Sequence, residues 1–474
     1  MSEDFDDTND NDFPQDAQDA TESAQPPSDE RVEDVSDEEE VYSEPVSARA
    51  DQPAGTLRLE IATVEGDLTI NGGAAQLHVS TPDWFEDESE VSEREGLVRI
   101  PRLPADTELF VPDGAEVIIG SLEGDLTADG LDGLIQVNRQ HGDVEARDIA
   151  VLFIDRLDGD LDGAHLGDLR VRHARGDVAL DDILSAPLFE RIDGDFEGRR
   201  LVGFELNGSI GGDTEFAQCG SITINGPIGG DLEIIQCSGD IRLGPVGGDL
   251  TVAEAKSLWL GPTGGDAVIE GIAGELHGEV IGGDARLRDI GGPTHLHVIS
   301  GDLQLKNVPG GLGSVQVSGD AALDTVIGPQ AEFRINTGGD ILFRVRGEIN
   351  ARFVAQSGGE IRTRLPLTVE RGRRRNLVGV LGDGSATVTL QSGGDIVLTA
   401  SDTAGDPEGG RRSGDFDFPD FGDFGDFGTM ASDFAERFTT NFGPGFARDI
   451  RNAASAFADA GASLFGTRRT RRSR

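Results

Sequence analysis

Gly-Asp or Gly-Glu recurs through the chain at an almost fixed interval, and no other feature restricts the fold so strongly. The pairs begin at residues 66, 124, 142, 159, 176, 194, 212, 230, 248, 265, 283, 301, 319, 339, 359 and 394. From 124 to 319 every step is 17 or 18 residues, and the later steps are 20, 20 and 35. A period of this length held over many copies marks a solenoid, because each unit is too small to bury its apolar face except against its neighbours.

Within a unit the side chains alternate with period two. In Gly230-Asp231-Leu232-Glu233-Ile234 the two apolar residues share one face and the two acids share the other. Half a unit later, Gly239-Asp240-Ile241-Arg242-Leu243 repeats the alternation, and Gly244-Pro245 marks a turn. Each rung therefore carries two short strands. Stacked rungs pair equivalent strands in parallel about 4.8 Å apart, so about fifteen copies predict a rod on the order of 70 Å long. The fold expected is all-β, a single long parallel β-solenoid over 124–400, with Leu232, Leu250, Leu303, Ile341 and Ile396 in its inward ladders. Glycine is expected to supply positive φ at the tight corners.

The flanks read differently. Residues 1–54 are acidic and poor in apolar side chains, a composition that does not repay the entropy of ordering. In 55–123 the first strands are followed by a break in the period, with Pro101, Pro104 and Pro112, read as an N-terminal cap or insertion that covers an open strand edge. Residues 366–393, with Arg371 and Arg373–Arg375, read as the matching device at the other end. Residues 401–428 are a Gly/Asp/Phe-rich linker. Its DFG triplets lack the phosphate loop, catalytic loop and helical lobe of a kinase. From 429 to 474 the spacing turns helical. Phe434, Phe438, Phe442, Phe446 and Phe457 form an apolar stripe ahead of Arg468, Arg469, Arg471 and Arg472, a pattern suited to anchoring on a partner or an anionic membrane surface.

Charge narrows the function classes. Eighty-eight acids against 40 bases leave a net charge of -48, a field that repels nucleic acid from most of the surface. Lysine occurs only at 256 and 306. No Ser/His/Asp set, phosphate loop or cofactor motif is present, so no catalytic or cofactor-binding residue is assigned and an enzyme is not expected. The opening residues carry no basic region and no apolar run, and no stretch is apolar enough to span a bilayer. The expectation is therefore cytoplasmic, with peripheral contact at the inner membrane face as the variant. Protein partners or self-association are expected.

Three groups are candidates for a site. The repeated acids Asp125, Asp143, Asp160, Asp177, Asp195, Asp213, Asp231, Asp249, Asp266, Asp284, Asp302, Asp320 and Asp340 are read as turn residues whose carboxylates accept backbone N–H groups at the corner. The third glycine of calcium-binding β-rolls is missing from the repeat. Glu275, His277, His295 and His297 fall on one outward patch of neighbouring rungs and form the candidate metal site. Cys219 and Cys237, eighteen residues apart and each preceded by Gln, stack on adjacent rungs and are read as reduced core thiols.

The stretch 107–149 carries Val111-Pro112, Gly114, Val117-Ile118, Gly124-Asp125-Leu126 and Gly142-Asp143-Val144. In these it resembles the bacterial family of adhesin-like β-strand-repeat domains of unknown function, and the resemblance extends over about 55–400. Bactofilin-like cytoskeletal solenoids are a more distant likeness. The resemblance implies a parallel β-solenoid and, through the family name, a surface adhesin. The residues themselves favour a non-enzymatic scaffold or interaction rod. The alternative is an envelope-associated scaffold, such as a bactofilin-like polymer, anchored through 429–474.

Overall fold

The computed structural model describes residues 57–80, 92–94 and 96–401. The acidic segment 1–54, the linker from 402 and the segment carrying Phe434, Phe438, Phe442, Phe446, Phe457 and Arg468–Arg472 lie outside the described residues. Within them the chain forms thirty-eight strands and no helix.

The strands build two parallel sheets that share one core. From β7 (Glu116–Leu122) and β8 (Leu126–Asp129) to β31 (Glu332–Thr337) and β32 (Ile341–Arg346), thirteen turns follow one another in sequence. Odd-numbered strands lie in the first sheet and even-numbered strands in the second. Equivalent residues sit directly above one another: Leu232 pairs with Leu250 and Ile234 with Val252. The inward ladder predicted from the sequence is buried throughout, with Leu232, Leu250, Leu303, Ile341 and Ile396 all at most 1% exposed. At roughly 25 cal/mol per Å² of apolar surface removed from water, this one continuous column of aliphatic side chains is the main driving force of the fold. Where the column widens, Phe189, Phe196, Phe204 and Phe216 fill it, with Phe196 and Phe204 centred 4.5 Å apart. Gly198 makes room for them, since a Cβ there would lie 2.8 Å from the Phe196 ring.

The corners differ from expectation. None of the glycines of the repeating Gly-Asp pairs from 66 to 394 has positive φ; they are glycine because the preceding rung of the stack leaves no space. A Cβ on Gly142 would stand 2.4 Å from Asp125 Oδ1 and 2.5 Å from the Gly124 carbonyl oxygen. Left-handed backbone falls instead at the opposite corner, and mostly on residues that are not glycine: Asp148, His165, Asp182, Arg200, Gln218, Gln236, Glu254, Asp289 and Asn307, with φ between 50° and 61°. Each turns the chain so that the following side chain points inward, giving the buried corner column Ile149, Leu166, Ile183, Leu201, Cys219, Cys237, Ala255, Ile290 and Val308. Left-handed φ costs an L-residue about 1–2 kcal/mol, and burial of the next apolar side chain offsets it.

Both ends depart from sequential stacking in the same way. β1 (Arg58–Val64) pairs with β7 on one side and with β5 (Leu97–Leu103) on the other; β2 (Leu68–Asn71) does likewise between β8 and β6 (Thr107–Phe110). The first turn in the chain is thus second in the stack. At the far end β37 (Ala386–Ser392) and β38 (Ile396–Ser401) insert between β31/β32 and the earlier turn of β33 (Ala351–Ser357) and β34 (Ile361–Thr363). Two displaced turns at each end bring the thirteen to seventeen. Antiparallel strands then cover the outermost turns. β3 (His78–Ser80) lies on β6 and β4 (Ser92–Arg94) on β5; β36 (Asn376–Leu381) lies on β33, followed by β35 (Thr368–Arg373). The segment 55–123 thus holds antiparallel strands and a complete turn that the sequence period does not announce, and 366–393 holds the antiparallel pair β35–β36 together with the solenoid strand β37.

Candidate functional site

The repeated aspartates form a single hydrogen-bonded line along the rod. The Asp125 Oδ1 accepts the backbone N–H of Asp143 at 2.9 Å, Asp143 accepts that of Asp160, and so on, rung by rung. The bond passes through Asp213, Asp231, Asp249, Asp266, Asp284, Asp302, Asp320 and Asp340 at 2.7–2.8 Å. The line follows the stack rather than the sequence. It starts at Asp106, passes through Asp67 to Asp125, and at the other end runs from Asp340 to Asp395 and on to Glu360. Each carboxylate accepts a backbone N–H at the corner, and that N–H belongs to the next rung, not to the aspartate's own turn. In each case only Oδ1 is used in the ladder, so the corner presents an acidic stripe with a rise of about 4.8 Å per carboxylate, with Arg362 beside the second oxygen of Asp395.

Beside this stripe the outer face of the second sheet is hollowed into a trough of about 720 Å³ that spans Asp125 to Asp213. Its floor is the outward position that follows the first inward residue of each strand. Glu145 stands over Asp162, Ala179 over Glu197, and Glu197 over Glu215, all in register. Burial pushes the Glu197 carboxyl up to about 8, and the neighbouring Glu215 pushes it the same way. Burial likewise raises Asp162. Arg199, only 6% exposed, lies two residues along the same strand, and burial lowers its pKa against the opposing pull of Asp181. Asp181 is itself bonded to Arg200. With its pKa raised to about 8, Glu197 favours the protonated carboxyl at neutral pH and can donate a hydrogen bond. Sequence reasoning assigned none of Glu145, Asp162, Glu197 or Glu215. The signal was present: at 17- or 18-residue spacing these acids fall on one outward column.

The group expected to bind metal is arranged as a ring ladder on the first sheet. Arg242, Trp259, His277 and His295 occupy equivalent positions on four successive strands. The Arg242 guanidinium lies 4.6 Å over the Trp259 ring, Trp259 and His277 are stacked at 6.0 Å, and His277 and His295 are 4.9 Å apart. Glu275 Oε2 is 3.0 Å from His277 Nε2. His297 is exposed two residues beyond His295. Among the described residues no group of three or more His, Cys, Asp or Glu side chains is placed to hold a metal ion. Ring stacking and the Glu275–His277 pair account for the contacts these side chains make.

Comparison with protein-family models, with curated proteins and with solved structures finds no match for this chain. Among the described residues no helix is long and apolar enough to cross a membrane.

Proposed function

We propose that this chain acts as a non-enzymatic scaffold, a rigid rod of fixed length that offers an acidic trough to cationic protein partners. The observation that carries this reading is the closure of both ends. A solenoid that grows by stacking leaves its terminal strands open, whereas here β4 and β36 run antiparallel over the outermost turns. Closed ends favour a unit with a defined length over a bactofilin-like polymer. The adhesin reading shares the rod and differs in where it is displayed. The trough supports an interaction role, because a line of carboxylates suits an extended basic segment.

Sedimentation of the full chain over a hundredfold concentration range tests the proposal. The rod predicts one-chain mass throughout and salt-sensitive binding of an arginine-rich peptide that weakens when Glu145 and Glu215 are changed to Gln. Mass that climbs with concentration, or peptide binding indifferent to those changes, would overturn it.

A further inference from the structure

The chain contains two cysteines, Cys219 and Cys237, and the fold places both in one spot. They are consecutive members of the buried corner column that continues from Leu201 to Ala255, each 2% exposed. The backbone arrives there identically on the two rungs: Gln218 and Gln236, with φ of 58° and 61°, turn each following sulfur inward. The flanking rungs are locked in register by β18 (Thr214–Ala217), β20 (Leu232–Ile235) and β22 (Leu250–Ala255). Their Cα atoms therefore stand one rung apart, about 4.8 Å, inside the window of roughly 4.4–6.8 Å that a disulfide requires.

We infer that Cys219 and Cys237 are an oxidisable pair, closed to a disulfide by hydrogen peroxide, which staples two consecutive turns of the rod at the corner. The thiol surroundings fit this chemistry. Cys219 Sγ lies 3.5 Å from the Ala217 carbonyl oxygen and 3.7 Å from that of Gly198. The neighbouring sulfur and burial hold the Cys237 thiol up. One rung of separation lets either sulfur react first, and the chemistry is the same from Cys219. Its thiolate attacks one oxygen of the peroxide, the O–O bond breaks, and a sulfenic acid and hydroxide form. The Cys237 sulfur, losing its proton to that hydroxide, then attacks Cys219 Sγ and expels the sulfenic oxygen as a second hydroxide, which takes up the proton Cys219 gave up on ionising. Two thiols and one peroxide thus give one disulfide and two waters. Small size is what the site demands of the oxidant, because the sulfurs are enclosed by the corner and only a water-sized reagent reaches them without unfolding.

Intact-mass and peptide analysis of the folded full chain after peroxide, followed by acid quench and alkylation in denaturant, tests this. The expected result is a loss of about two mass units, the two thiol hydrogens, with a Cys219–Cys237 linked peptide and no thiol left to alkylate. The oxidised rod should also melt higher than the reduced one, and the C219A/C237A chain should melt alike with and without peroxide. Three results would overturn the inference: two alkylated cysteines after treatment, oxygen added to sulfur without a link, or links only between chains. If the substituted chain fails to fold, the mass of the wild-type chain still decides.

Discussion

A carboxylate repeated every rung would repel its neighbours, yet here each one holds the next rung in place. The two effects are separable at Asp231, which accepts the Asp249 N–H and bonds through its own N–H to Asp213. Asp231→Ala leaves the Asp249 N–H without its acceptor and should cost about 1–3 kcal/mol in chemical denaturation. Asp231→Asn keeps an acceptor oxygen and removes one charge, so its stability should match or exceed the wild type; a loss as large as that of the Ala variant would contradict the ladder. The partner glycine is fixed by space. Gly230→Ala places a Cβ 2.0 Å from Asp213 Oδ1 and should cost about 1–3 kcal/mol through overpacking. Glu197 gives the pH signature. Its folded pKa, about 8, lies above the ordinary glutamate value of about 4.5, so the folded state keeps a proton that the unfolded state releases. Its contribution is fully present below about pH 4.5 and is lost as pH rises through about 8. Glu197→Gln should therefore gain on the wild type as pH rises from 5 to 8.5, by up to a few kcal/mol. Parallel denaturation curves at the two pH values, with no change in the difference, would refute the assignment.

At the scale of elements, the regular turns were legible in sequence and the ends were not. Alternation in Leu232-Glu233-Ile234 and the 18-residue spacing to Leu250-Thr251-Val252 dictate two strands per rung and their register, because period two leaves one inward face. Nothing in that spacing states the order in which turns stack. The turn of β5 and β6 was hidden because Ala105-Asp106 replaces the Gly-Asp pair, although Asp106 still bonds the Asp67 N–H. The left-handed corner is hidden for a related reason: glycine is the usual sign of positive φ, whereas here Gln236 and Glu254 adopt it to bury Cys237 and Ala255. Likewise the trough residues went unassigned because their alignment is a property of the column, not of any local motif. The hairpin β35–β36 carries its own prediction. Removing residues 366–382 and joining the ends with a short glycine linker bares the edge of β33, and the truncated chain should associate in a concentration-dependent way. A strictly single-chain mass for that variant would show that the hairpin does not guard the edge.

For the whole molecule the opposing terms are one long aliphatic core and a net charge of -48. Like charges lie within a Debye length along the entire acid ladder, so salt should stabilise the rod, with the unfolding midpoint rising between 10 mM and 500 mM sodium chloride. A midpoint that falls with salt would mean that ion pairs such as Arg172–Asp155 and Arg352–Glu370 outweigh repulsion. Seventeen turns at about 4.8 Å make a body roughly 80 Å long. The rod requires each turn to lie one rise beyond the last along a common axis. Spin labels placed in pairs on the trough column measure this rise directly: Thr127 with Glu197, Thr127 with Thr251, and Thr127 with Gln304 are four, seven and ten strands apart in the second sheet. The predicted separations are about 19, 34 and 48 Å, growing in proportion to the number of turns. Distances that level off, or that fail to order by turn number, would contradict the stacked rod.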